Sequence, residues 1–183
     1  MTDPTAAGPG AAERASFDAG DAANLVTVRM LGIPLDIYRE SAEHADELMR
    51  EFALIRERDP DEGPAIPRRL LALVDALTEQ FGTFTEAQEA EMRQAHERGE
   101  RTIDLVYRVP PEAKQAAIEL DAMLVEADAF CREGHDLLTL ATPPRAVAFR
   151  DWFLDEFVHQ IDGAEPTPWH DGRIARASEP GPM

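Results

Sequence analysis

Four aromatic side chains, Phe149, Trp152, Phe153 and Phe157, fall within nine residues of this chain. They follow a proline-marked entry at Thr142-Pro143-Pro144 and precede a closing Pro166-Thr167-Pro168-Trp169. A helix on the surface of a modest domain needs only a narrow apolar stripe. Here Val147, Phe149, Trp152, Phe153, Leu154, Phe157, Val158 and Ile161 cover most of the circumference. Such a helix either packs at the centre of the domain or turns an aromatic face to a partner. Aromatic residues at helical spacing are more often core, and that reading carries the greater weight.

The chain has 183 residues, and removal of two apolar-poor ends leaves roughly 145, enough for one domain with a sizeable core. Residues 1–24 and 170–183 are expected to be disordered tails around a single globular domain over 25–169. Thirty-six acidic against eighteen basic residues give a net charge of −18. This balance opposes a phosphate backbone, whose affinity comes from counterion release by basic groups, so neither nucleic acid nor an anionic membrane surface is an expected partner. The acidic excess is spread along the chain and reads as solvated helix faces. The lone Cys131 cannot form an intramolecular disulfide and falls on the apolar side of a predicted helix, where a buried thiol is inert. The N-terminus lacks the basic start and apolar run of a signal peptide, and no eighteen apolar residues run together, so the expected location is cytoplasmic.

Alternation of apolar and polar residues predicts strands over Leu25–Ile33 and Thr102–Val109. Between and after them the spacing predicts about five helices. The first runs from Pro34 to about Arg58, and the second from about Pro67 to Phe81, with Gly82 as its stop. A third, apolar-poor and exposed, starts on a Thr85/Gln88 capping box and ends near Gly99. The fourth spans Pro111 to Arg132 and has the cleanest stripe. The fifth takes Thr142 as N-cap and Pro143 as first helical residue, and ends between Ile161 and Gly163. The expected class is therefore α+β, predominantly α, about five helices with a small two-stranded β element. Leu48, Phe52, Val74, Leu77, Leu120, Leu124, Phe149 and Phe153 are expected to meet in one core.

Chemistry-bearing motifs are few. Glu156 and His159 make one Glu-x-x-His, and His44 with Glu47 are likewise three apart. Carboxylate-bridged metal centres in helical bundles use such motifs in pairs, and the second Glu-x-x-His is missing. Solvated polar residues are the favoured reading, with a metal-dependent helical-bundle enzyme as the alternative. No nucleophile elbow surrounds any of the three serines or Cys131, and the only G-x-G lies at Gly8–Gly10, outside any strand–helix turn. The expectation is a non-enzymatic protein without a cofactor. Interfaces are anchored by Trp, Phe and Arg, so Arg150, Trp152, Phe153, Phe157, Pro168 and Trp169 are the interface candidates. A small-molecule sensor with an aromatic-lined helical pocket is a further alternative.

The strings Gly32-Ile33-Pro34, Glu47–Phe52 (ELMREF), Leu137–Pro144 (LLTLATPP), Arg150–Glu156 (RDWFLDE) and Pro166–Trp169 (PTPW) together resemble a poorly characterised actinobacterial family associated with partner-switching stress modules. Such modules contain anti-sigma serine kinases, STAS-domain antagonists and phosphatases. The resemblance covers most of 25–169 and implies a regulatory setting: an accessory component of a sigma-factor regulatory system with a protein partner such as an anti-sigma kinase or a STAS-domain protein. It does not imply the kinase itself. That class needs an Asn-bearing helix and glycine-rich nucleotide loops, whereas Asn24 is the only asparagine here.

Overall fold

The computed structural model describes residues 24–58, 64–133 and 142–170. The two predicted disordered tails fall, apart from Asn24 and His170, outside the described residues. The elements are β1 (Val26–Pro34), α1 (Leu35–Arg58), α2 (Ala65–Glu97), β2 (Thr102–Val109), α3 (Ala113–Arg132) and α4 (Pro144–Ile161). The fold is α+β and mainly α, with four helices among the described residues instead of about five.

The helix count differs because Gly82 does not end a helix. α2 runs unbroken through it for 33 residues. Helical glycine costs only about 1 kcal/mol relative to Ala. Phe81 and Phe84 on either side pack against the core and outweigh that cost. Thr85 and Gln88 therefore do not cap. The Thr85 hydroxyl donates back to the Gly82 carbonyl at 3.3 Å, and the Gln88 amide reaches the Val106 carbonyl at 2.7 Å. The stretch expected to be exposed also buries Met92 and Ala95 completely enough to belong to the core. Gly99, at φ +75°, stops α2: its N–H bonds to His96 and that of Glu100 to Ala95, the two bonds of a Schellman motif.

β1 and β2 pair antiparallel, Val26 opposite Val109 and Pro34 opposite Thr102. A one-residue bulge lies between Met30 and Ile33, where Gly32 takes φ +70° and its N–H donates to Asp104 Oδ1 at 2.6 Å. Val28, Met30, Ile33, Leu105, Tyr107 and Val109 are buried, and Arg29, Val106 and Arg108 face out, as the alternation requires. Two strands alone are marginal in water, and their outer edges are open to further pairing. Two glutamines close them. Gln160 of α4 exchanges bonds with both the N–H and carbonyl of Arg29 (2.8 and 2.7 Å), as a neighbouring strand would, and Gln88 of α2 takes the Val106 carbonyl on the opposite edge.

The expected single core is two. The first joins the sheet, the C-terminal part of α2, the start of α3 and the aromatic residues of α4. The second joins Leu48 and Phe52 of α1, Leu70 and Leu71 of α2, and Met123, Ala127, Phe130 and Cys131 of α3, with Leu120, Leu124 and Val74 at its margin. Phe149 belongs to the first cluster and Phe153 packs against it, so these two do not meet Leu48 and Phe52. α2 and α4 each pack on α3, while their backbones make at most a slight approach to one another.

Candidate functional site

That separation leaves space. Along α2 the stripe Val74, Leu77 and Phe81 faces Ala113, Ala116 and Leu120 of α3, and the short alanines do not reach across. Leu154 and Phe157 of α4 and Val109 at the end of β2 complete the wall. The result is an open cleft of about 520 Å³ between the two core clusters. Its size and apolar lining match those of small-molecule sites, which combine an apolar body with a few polar groups. Here the polar groups are Thr78, Thr85, Glu86 and Glu89, all from α2, and none of the described lining residues is basic. Glu89 acts beyond the lip. Burial is the main cause that raises the Tyr38 and Tyr107 phenols above their usual range, and Glu89 adds to the shift in both. The amides of Ala113, Lys114 and Ala116 at the start of α3 bond to the carbonyls of Pro110, Pro111 and Glu112.

A second polar constellation ties α4 to its neighbours. Asp128 of α3, nearly buried, accepts from Arg150 Nη1 at 2.8 Å and from the Thr142 hydroxyl at 2.5 Å. His44 of α1 meets the same Thr142 hydroxyl at 3.1 Å. Thr142 is thus not the cap of α4: Pro143 holds that position, without a side-chain cap, and Pro144 is the first helical residue. Arg150 also reaches Asp151 at 3.4 Å, and burial raises the Asp151 carboxyl, with Arg150 opposing.

The residues after α4 form a strap. Gly163, at φ +89°, ends the helix in another Schellman motif, its N–H bonded to Gln160 and that of Ala164 to His159. The chain then turns back over α4. Thr167 donates its N–H to Glu156 Oε2 (3.0 Å) and receives the Trp152 indole N–H on its carbonyl (2.9 Å), while the Trp169 N–H bonds to Leu31 of β1 (2.9 Å). The Trp169 ring sits edge-on to Phe149 and Trp152, with centroids 5.7 and 5.5 Å away.

Of the interface candidates, Trp152 (1 % exposed) and Phe157 are buried, Phe153 and Trp169 are half-buried, Arg150 is held in its ion pair, and Pro168 is exposed. The surface part of that segment is the strap. The metal alternative is scattered: Glu156 is 2 % exposed and bonded to Gln160 and Thr167, His159 and Glu47 are exposed, and His44 belongs to the Thr142 constellation. Among the described residues no group of three or more His, Cys, Asp or Glu is placed to hold a metal ion. Nor is any helix among them long and apolar enough to cross a membrane. No protein-family model, curated protein or solved structure matches the chain.

Proposed function

We propose that this protein is a regulatory domain that receives a small apolar-bodied molecule in the α2–α3–α4 cleft and passes its occupancy to a protein partner. The observation that carries the reading is the position of the cleft. It lies between two core clusters, with Leu120 and Val74 from the margin of one and Phe157, Val109 and Ala117 from the other. A ligand there bridges the clusters. It stabilises the arrangement that fits it, by an amount set by its concentration over its dissociation constant. The neutral dye Nile red tests the cleft: its emission should rise and shift blue with the wild-type chain and not with Ala116→Phe, which fills the space. Absence of binding to the folded wild type ends the reading.

The strap supports a second reading, that of a protein-interaction module in a partner-switching setting. Pro168 and Trp169 are anchored to the core yet reach the surface, which suits a rigid contact element. Trp169→Ala should then abolish co-purification of an anti-sigma kinase or STAS-domain partner from the native cell. Unchanged recovery of that partner would remove the strap from the interface.

A further inference from the structure

The charge around the cleft says more about its occupant than the apolar wall does. Glu86 and Glu89 stand one helical turn apart on the α2 wall, both exposed beside an apolar surface. Thr85, one turn before Glu89, has a single hydroxyl proton and the Gly82 carbonyl at 3.3 Å as its nearer acceptor, with Glu89 Oε1 at 3.4 Å the alternative, which leaves most of the Glu89 carboxylate free for another donor. The nearest base on α3 is Lys114, and its ammonium is held by both oxygens of Asp162 at 2.7 Å. On α2 itself Arg93 lies one turn beyond Glu89, outside the cleft lining, so an anionic ligand would meet two carboxylates and no lining base, whereas a cation would meet both carboxylates.

We infer that the cleft selects a cationic amphiphile: a compact hydrocarbon body seated against Leu77, Phe81, Leu120 and Phe157, with an amine placed between Glu86 and Glu89. This rests on the cleft being a ligand site, as proposed above. A covering peptide or a second copy of this acidic chain is the less suited occupant, since with a net charge of −18 a second copy brings more negative charge to a lip that is already negative.

Three probes with one body and different heads separate the claims: 1-adamantylmethylamine, 1-adamantanemethanol and 1-adamantanecarboxylate, titrated calorimetrically into the full chain at low salt. The amine should bind more tightly than the alcohol, and the alcohol more tightly than the carboxylate. Glu86→Gln/Glu89→Gln should weaken the amine about fivefold, the scale of two exposed ion pairs, and leave the alcohol unchanged. Added salt should narrow the amine–alcohol gap. Equal binding of amine and alcohol, untouched by the double variant, overturns the charge inference and leaves the cleft reading standing. Failure of all three probes overturns both. Ala116→Phe, with Thr78→Phe on the exposed wall as a second variant in case the first does not fold, should abolish amine binding. Amine binding that persists in a folded blocking variant assigns it to the acidic surface at large and overturns the inference.

Discussion

The Asp128–Arg150 pair is the contact that most directly joins α3 to α4, and its removal has a calculable consequence. Both side chains are largely out of water, at 10 and 14 % exposure, with an N–O distance of 2.8 Å. Among the described residues, Asp128→Ala leaves the Arg150 charge with only the 3.4 Å contact to the half-exposed Asp151, and its buried Nε has no hydrogen-bond partner there. Breaking one side of a buried pair costs about 3–5 kcal/mol because the surviving charge stays desolvated. At a urea slope of about 2 kcal/mol per molar, a loss of 3 kcal/mol lowers the midpoint by about 1.5 M. Asp128→Ala/Arg150→Ala should cost well under the sum of the two single changes, with a coupling of about 2 kcal/mol. The exposed pair Arg69–Glu126, also 2.8 Å apart, is the control, and Glu126→Ala should cost less than about 1 kcal/mol. Urea denaturation followed by circular dichroism at 222 nm measures all four variants. Additive single costs, or equal midpoints for Asp128→Ala and Glu126→Ala, would refute the reasoning.

Gly82→Ala should stabilise the fold by about 0.5–1 kcal/mol, since the added methyl meets only Thr78 Cγ2 at 3.9 Å; a lowered melting temperature would show that α2 is not continuous there. Trp152→Ala should cost about 3–5 kcal/mol, because it opens a cavity beneath Phe149 and Trp169 and strands the Thr167 carbonyl, and a change below 1 kcal/mol in a thermal melt would contradict its central place. Burial, with Asp128 and Glu51 adding, pushes the Cys131 thiol from 9.0 up to about 11, so the folded chain keeps the proton over a window where the unfolded chain loses it. This contribution is fully present below about pH 9 and is lost as pH rises toward 11. Cys131→Ala should flatten the fall of the denaturation midpoint across that window, and an unchanged slope would assign the fall to other groups.

Both strands were legible because β2 alternates along its whole length and β1 alternates from Val26 to Met30, before its bulge, each with one buried face, a pattern that no helix satisfies. The ends of α2 and α4 were legible for a local reason too: Gly99 and Gly163 take the positive φ that a Schellman motif needs. Thr142 misled because its best partners, Asp128 and His44, come from other helices, and a strong acceptor such as a carboxylate outcompetes the amides of the following turn. The aromatic run was read as core or interface, and only the return of the strap decides where each ring lies. Trp169 packs on Trp152 because Thr167 is bonded at both its N–H and its carbonyl to α4, and nothing in the spacing of these residues along the chain encodes that turn.

The cleft was hidden by the same glycine that hid the long helix. With α2 divided at Gly82, its halves are free to fold against each other and the stripes of Val74, Leu77 and Phe81 are free to join one core with α3 and α4. A continuous 33-residue helix removes that freedom: it spans about 50 Å at 1.5 Å per residue, longer than either core cluster needs, and so it must carry apolar positions past the gap between them. The alanines of α3 at 113, 116 and 117 then decide whether the gap closes. Larger side chains there would fill it, and their smallness is the local sequence signal of the cleft. This is also why Ala116→Phe is the decisive substitution. It should raise stability if the cleft is only a packing defect, whereas in a ligand site it should remove binding of Nile red and of the adamantyl amine together. A gain in stability with binding intact would mean that the ligand-accessible surface lies elsewhere on the molecule.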